Sequence, residues 1–307
     1  MKPLTFLLIL ISTVVIGSLI FWLWQRQPKS ININSSEKTS TTIEKKDSEK
    51  NSSIFVLSPK NGDSLDSSTI KFSGKTNKEN NIIIISNTIG DIANVKNDGS
   101  FEIPEVLENG LNLINIISID RDFKEIQKES LTLYVSTSSD KDKNVTAGLV
   151  NKIFENTLTV TTPSGDVTVK KTTSTTISTP KPDVTKPIPS PKNKDADIRV
   201  GDYIVALGAM TKETGMTASS IQIIRDNKPQ ITKKYAPVKF ASGAKLKIFS
   251  GYDLGDNKLI EFKLDKTTVF AGDKKSDEKA IAKDKRAIIF YTPSGSDNIA
   301  SLIYILP

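Results

Sequence analysis

Histidine and cysteine are both absent from the 307 residues. Without imidazole or thiolate the chain can hold no Ser-His-Asp or Cys-His machinery, no Cys/His zinc site, no disulfide and no c-type haem attachment. Aromatic residues are few, at 7%, and tryptophan occurs only as Trp22 and Trp24. Long runs of one charge are missing too. The net charge of +7, from 42 Lys and Arg against 35 Asp and Glu, is spread unevenly: +3 in residues 1–53, −4 in 54–136, +5 in 137–237 and +3 in 238–307. What remains for catalysis is carboxylate, Lys, Ser and Tyr chemistry, and neither an enzyme nor a cofactor is expected.

Long apolar runs occur once. Residues 4–24, LTFLLILISTVVIGSLIFWLW, carry no charge, and as a helix they would span roughly 31 Å, about one hydrocarbon core. Trp22 and Trp24 close the run beside Arg26, where an interfacial aromatic belt would lie. The segment exceeds the apolar length of a cleaved signal peptide and no A-x-A site follows it, so residues 1–25 read as an uncleaved transmembrane anchor, with the cleaved form as the alternative. Lys2 on one side and Arg26 with Lys29 on the other leave the positive-inside count nearly balanced. Export of the cysteine-free β modules places the C-terminal part outside the cytoplasm. A lipid anchor through cysteine is excluded, and no Leu-Pro-x-Thr-Gly sorting signal precedes Pro307.

Residues 26–53 are polar and almost free of large apolar side chains, so burial cannot offset their ordering entropy. They read as a disordered linker with a reach of roughly 30 Å. From 54 to 136 short β-forming runs alternate with turn signals: Ile54-Phe55-Val56-Leu57, Thr69 to Gly74, Ile82 to Ile85, then Asn97-Asp98-Gly99 before Phe101, Asn109-Gly110 before Leu111 to Ile119, and Leu131 to Val135. About seven strands in about eighty residues, with no helical period, imply a β-sandwich.

Within that segment, Ser58-Pro59-x-x-Gly62, Phe72-x-Gly74, Asp98-Gly99-Ser100-Phe101 and Asn109-Gly110-x-Asn112-x-Ile114-x-Ile116-x-Ser118-x-Asp120 resemble a bacterial immunoglobulin-like domain, of the kind repeated in surface proteins and appended to secreted carbohydrate-active enzymes. The resemblance implies a fold and no particular activity. It departs at Arg121-Asp122-Phe123, where the family often has Gly-Asn after the strand-end Asp.

A polar linker, 137–145, leads to a divergent internal repeat. The first copy, 146–226, runs from Gly148-Leu149-Val150 to Thr217-Ala218-Ser219-Ser220-Ile221-Gln222-Ile223. The second, 238–307 after a linker at 227–237, runs from Ala244-Lys245-Leu246 to Ile299-Ala300-Ser301-Leu302-Ile303-Tyr304-Ile305. The two endings are its clearest mark, and Thr176-Ile177 is set against Thr268-Val269. Five or six short strands per copy imply two small, OB-like β-barrels. Gly148-Leu149-Val150, Thr175-Thr176-Ile177, the centre from Asp197 through Gly201-Asp202 to Gly208, and Ala218-Ser219-Ser220-Ile221 resemble a small β-barrel domain of unknown function from bacterial envelope proteins. The proline-rich stretch 178–194 reads as a stiff loop inserted in the first barrel. The fold class is thus all-β behind an N-terminal transmembrane helix.

Candidate sites are sparse. Alternation along 111–119 puts Ile114 and Ile116 on one face and Leu113, Ile117 and Ile119 on the other. That second face is either covered by a neighbouring loop or module or docks a partner. Lys233 with Lys234, Lys274 with Lys275, and Lys283 with Lys285 and Arg286 offer cations to an anionic envelope polymer or membrane. Phe249, Tyr252, Phe262 and Phe270 could stack on single-stranded nucleic acid, but core packing is their default and nucleic acid is not an expected partner. Asp120 and Asp122 are spaced to offer oxygen ligands to Ca²⁺. The paired Asp195 and Asp197 offer carboxylates by spacing alone.

These features together imply a single-pass cell-envelope protein with a non-catalytic binding, adhesion or scaffolding role. Its expected partners are the membrane, and an envelope polymer, a glycan or another surface protein. The alternatives are a pure structural spacer and, more remotely, a polymer-processing accessory protein.

Overall fold

The computed structural model describes residues 54–136, 143–179, 198–211, 215–225, 228–272 and 277–306. The apolar run 4–24, the linker 26–53, most of the proline-rich stretch, Asp195, Asp197, Lys274 and Lys275 lie outside the described residues. Among the described residues there is no α-helix, and none long and apolar enough to cross a membrane. All of them belong to one unit, Lys50–Pro307.

The first module is a β-sandwich of eight strands: β1 (Phe55–Ser58), β2 (Ser64–Leu65), β3 (Thr69–Lys75), β4 (Asn81–Ile85), β5 (Gly90–Ala93), β6 (Ser100–Val106), β7 (Gly110–Ile119) and β8 (Glu125–Val135). One sheet has the order β1-β3-β6 and the other β2-β8-β7-β4-β5. Period-two alternation fills the space between them: Phe72, Phe101, Ile82, Ile84, Ile114, Ile116, Leu131 and Leu133 form one buried cluster. At the Asp98-Gly99 turn the Asp98 carboxylate accepts from Ser100 N at 3.0 Å and Ser100 Oγ at 2.6 Å, which fixes the entry to β6.

The second module contains β9 (Asn144–Phe154), β10 (Thr157–Thr162), β11 (Gly165–Lys170), β12 (Thr176–Ser178), β13 (Tyr203–Thr211) and β14 (Gly215–Ile224), in the order β11-β10-β9-β13-β14-β12. A parallel pairing of β11 with β14, through Val169 to Met216 and Lys170 to Thr217, closes the ring. The third module is a closed barrel, β15 (Lys234–Phe240), β16 (Ile248–Asp253), β17 (Leu259–Gly272), β18 (Arg286–Ser294) and β19 (Asp297–Ile305), ordered β15-β16-β17-β19-β18. Numbered from its own first strand, with β11 and β12 taken as one interrupted strand, each barrel follows the ring 1-2-3-5-4 and back to 1. The third and fifth strands are parallel in both.

The repeat therefore extends from sequence to topology, and its shared Ala-Ser has a structural job. Ser219 and Ser301 are the extra residues of matching β-bulges, opposite Leu207/Gly208 and Phe290/Tyr291. Each serine hydroxyl donates back across its bulge, Ser219 to Leu207 O at 3.0 Å and Ser301 to Phe290 O at 3.2 Å. Each preceding alanine carbonyl accepts from a threonine hydroxyl, Thr175 at 2.7 Å and Thr268 at 2.8 Å. These bonds correct the alignment of the copies by one residue: Thr175 matches Thr268, and Ile177, facing Ile221, matches Phe270, facing Ile303. Gly208 lies beside the bulge, where a Cβ would come within 2.0 Å of Thr217 O.

One boundary also moves. The first strand of the third module is Lys234–Phe240, inside the stretch expected to be linker, while 244–247 is a loop with Leu246 and Lys247 at positive φ. Pro237 masks the strand in the sequence, since proline lacks an amide donor. It sits opposite Ile288 and its carbonyl accepts from Leu254 N at 2.9 Å. The connecting segment is fastened as well. Asn87 Nδ2 donates to Gln230 O at 2.9 Å, and Asn87 Oδ1 accepts from Thr232 N at 2.8 Å.

Both barrels pack on the same sheet of the sandwich with the same part of themselves. On β18, Ile289 points into its own barrel, while Ile288 and Phe290 join Ile83, Ile85, Ile92, Ile117 and Ile119 of the sandwich in one buried cluster. Gly90 makes room for the Phe290 ring, which a Cβ there would meet at 2.7 Å. On β13, Ile204 and Ala206 point into the first barrel, and Tyr203, Val205 and Leu207 pack with Leu111 and Tyr134. By the bulge register Val205 matches Ile288 and Leu207 matches Phe290.

Candidate functional site

Docking of the barrels creates concave places that no single module contains. One is a cleft of about 600 Å³ between the β5–β6 side of the sandwich and the third module. Its charged walls are Asp91 of β5, Glu105 of β6 and Lys233, just before β15. Alternation along β6 directs Phe101 and Ile103 into the core, and Glu105, on that same face at the strand end, is carried to the sandwich margin. Lys233 is held there by its Nζ donating to Thr88 O at 2.8 Å.

The electrostatics of this cleft are strained. Burial, and then the neighbouring Asp91 carboxylate, push Glu105 up to about 7, with the Lys233 ammonium opposing. Burial raises Asp91 as well, against the hydrogen bond that its Oδ1 accepts from Ile92 N at 2.7 Å. Burial lowers Lys233, and Glu105 opposes that shift. Glu105 Oε1 is buried without a hydrogen-bond partner among the described residues. A carboxyl group poised near neutrality beside a second carboxylate can hold a proton, or give up its charge to a cationic or hydrogen-bonding guest.

A second exposed feature lies on the outside of the third module. Leu246 is 96% exposed, and Ile248 and Leu259 are exposed on the facing strands β16 and β17. Ile248 and Leu259 border a pocket of about 320 Å³ that includes Lys263 and Asp297, 3.5 Å apart. Lys247 bonds to Glu278 at the rim of the loop.

The residues singled out from sequence are scattered. Ile117 and Ile119 are buried beneath the third module, so of the two readings of this face it is cover by a neighbouring module that the structure shows. Leu113, on the same face of β7, is half-buried and lines a separate cavity of about 510 Å³ at the junction with the first barrel. Lys285 is exposed, and the Arg286 guanidinium lies 5.5 Å from the centroid of the Phe123 ring. Asp120 Oδ1 accepts from Asp122 N and Lys124 N, both at 2.9 Å, so this carboxylate closes the β7–β8 turn. Asp122 is exposed, and among the described residues no three acidic side chains gather as a metal site. Phe249 and Phe262 stack in the barrel core with centroids 5.3 Å apart, and Phe270 packs against that core. Tyr252 is the partly exposed member of the set.

Asp91, Glu105 and Lys233 carry no sequence signal that joins them. Asp91 and Glu105 both belong to the sandwich, and Lys233 joins them only because the third module docks where it does. No protein-family model matches the chain, and no curated protein matches it.

Proposed function

We propose that this is a membrane-anchored cell-envelope protein that presents a preassembled binding and scaffolding unit outside the cytoplasm, without catalysis. The observation that carries this reading is the docking of both barrels, through equivalent strand faces, onto one sandwich sheet. A flexible row of spacers would not bury the outward faces of β13 and β18. A surface assembled from three modules keeps its clefts in a fixed arrangement, which favours recognition over mere extension. The uncharged run 4–24 supports the anchor. The quoted turn and core motifs support an immunoglobulin-like sandwich, and the 1-2-3-5-4 ring with parallel third and fifth strands supports OB-like barrels.

The test combines location with capture. Full-length protein is expected in the membrane fraction after carbonate washing, with the modules open to protease added outside intact cells. Purified in a detergent without sugar headgroups, it is expected to be retained on isolated envelope polymer. Membrane location without retention on any envelope fraction would leave the spacer reading in its place, and recovery in the soluble fraction would remove the anchor.

A further inference from the structure

The junction of the sandwich, the first barrel and the connecting segment holds a cavity of about 510 Å³, within the range of small-ligand sites. Leu113 and Asn115 of β7, Ser130 of β8, Leu149 of β9, Tyr203 of β13 and Gln230 contribute to its walls. Tyr203 is only 7% exposed as a residue, but its hydroxyl is not one of the buried side-chain oxygens left without a partner: it reaches the solvent of the cavity that the residue lines. Burial pushes the phenol up to about 12 with no hydrogen bond contributing. A phenol hydroxyl that opens on a cavity can donate to or accept from a guest in place of water.

The rest of the wall is similarly provisioned. Asn115 Oδ1 accepts from Ser130 Oγ at 2.8 Å, which aligns the amide and leaves its NH₂ to donate elsewhere. Leu113, Leu149 and Ile231 supply an apolar side, and Lys128 is the one charged residue of the lining. We propose that this junction cavity binds a neutral polyhydroxylated ring, one or two sugar units of a glycan. Such a ligand places C–H faces against the leucines and hydroxyls against Tyr203, Asn115 and Gln230. A polyanion would meet a single cation, and an acyl chain would desolvate the amide and both hydroxyls without return. The inference deepens the binding role proposed above and rests on it.

The decisive measurement is calorimetric titration of the full-length chain, in detergent free of sugar headgroups, with maltotriose, cellotriose and triacetylchitotriose. At least one is expected to bind, with Tyr203→Phe weakening it about tenfold while Tm stays unchanged, because the hydroxyl leaves no partner behind. Leu149→Trp, at a partly exposed position, fills the mouth and is expected to abolish binding. No heat from any of the three at millimolar concentration, or binding indifferent to both substitutions, would overturn the proposal. Envelope capture that survives in Leu149→Trp would sink the cavity while leaving the binding role intact.

Discussion

Glu105 shows how a single residue acquires a property its sequence context does not announce. It follows Pro104 near the end of β6 and reads as an ordinary strand-end acid, yet the docked third module withdraws one of its oxygens from water. Its ionisation is pushed up to about 7 from an ordinary 4.5, by burial first and by Asp91 second. A carboxyl whose pKa is higher in the folded chain than in the unfolded one binds more protons when folded. It therefore supports the fold fully below about pH 4.5, and that support is lost as pH rises through 7. Asp91, also raised, acts in the same sense. Glu105→Gln keeps the shape and removes the titration, so the fall in Tm from pH 5 to pH 8 is expected to shrink in the variant. Calorimetric melting at both pH values checks this, and an unchanged difference would mean that Glu105 is ionised throughout.

At the scale of strands, the two barrels are held by the same small set of polar bonds. Thr175→Val and Thr268→Val each remove a hydroxyl donated to an alanine carbonyl, at Ala218 and Ala300. Each is expected to cost about 1 kcal/mol in urea unfolding, with closely similar values in the two modules. A loss confined to one barrel would show that the match is one of sequence only. The Ala-Ser endings were the clearest mark of the repeat in the sequence, and they prove to lie at the bulge that sets the ring. The all-β class, the sandwich turns and the split of Ile114 and Ile116 from Ile117 and Ile119 were equally readable, because period-two alternation determines which face a side chain takes. The strand Lys234–Phe240 was not, since Pro237 lies in its middle and closure of the barrel, a tertiary event, rescues it. The one-residue misalignment of the threonines has a similar cause. Their parallel pairing partners, which fix the register, come from strands distant in the sequence.

For the whole molecule, the doubly apolar strands decide how the modules are arranged. Residues 203–208 and 287–290 carry no charged side chain, and half of each strand is core. The other half is interface, which is why neither strand shows a polar alternate face. The candidate sites were illegible for the same reason, since the charged cleft and the junction cavity form between modules and draw on residues more than a hundred positions apart. This arrangement predicts strong thermal coupling. Phe290 is fully buried against the sandwich, although it belongs to the outward face of its own barrel. Phe290→Asp would place a charge in that interface, at a cost of several kcal/mol, while leaving Ile289, Phe249 and Phe262 to hold the barrel core. Leu207→Asp does the same at the matching position of the first barrel. Each substitution is expected to split one cooperative melting transition into two and to increase the radius of gyration in X-ray scattering. The wild-type chain should melt its three modules together. A single transition and unchanged dimensions in both variants would mean that the linkers and polar clips, such as Asn87 with Thr232, hold the barrels in place without the apolar faces.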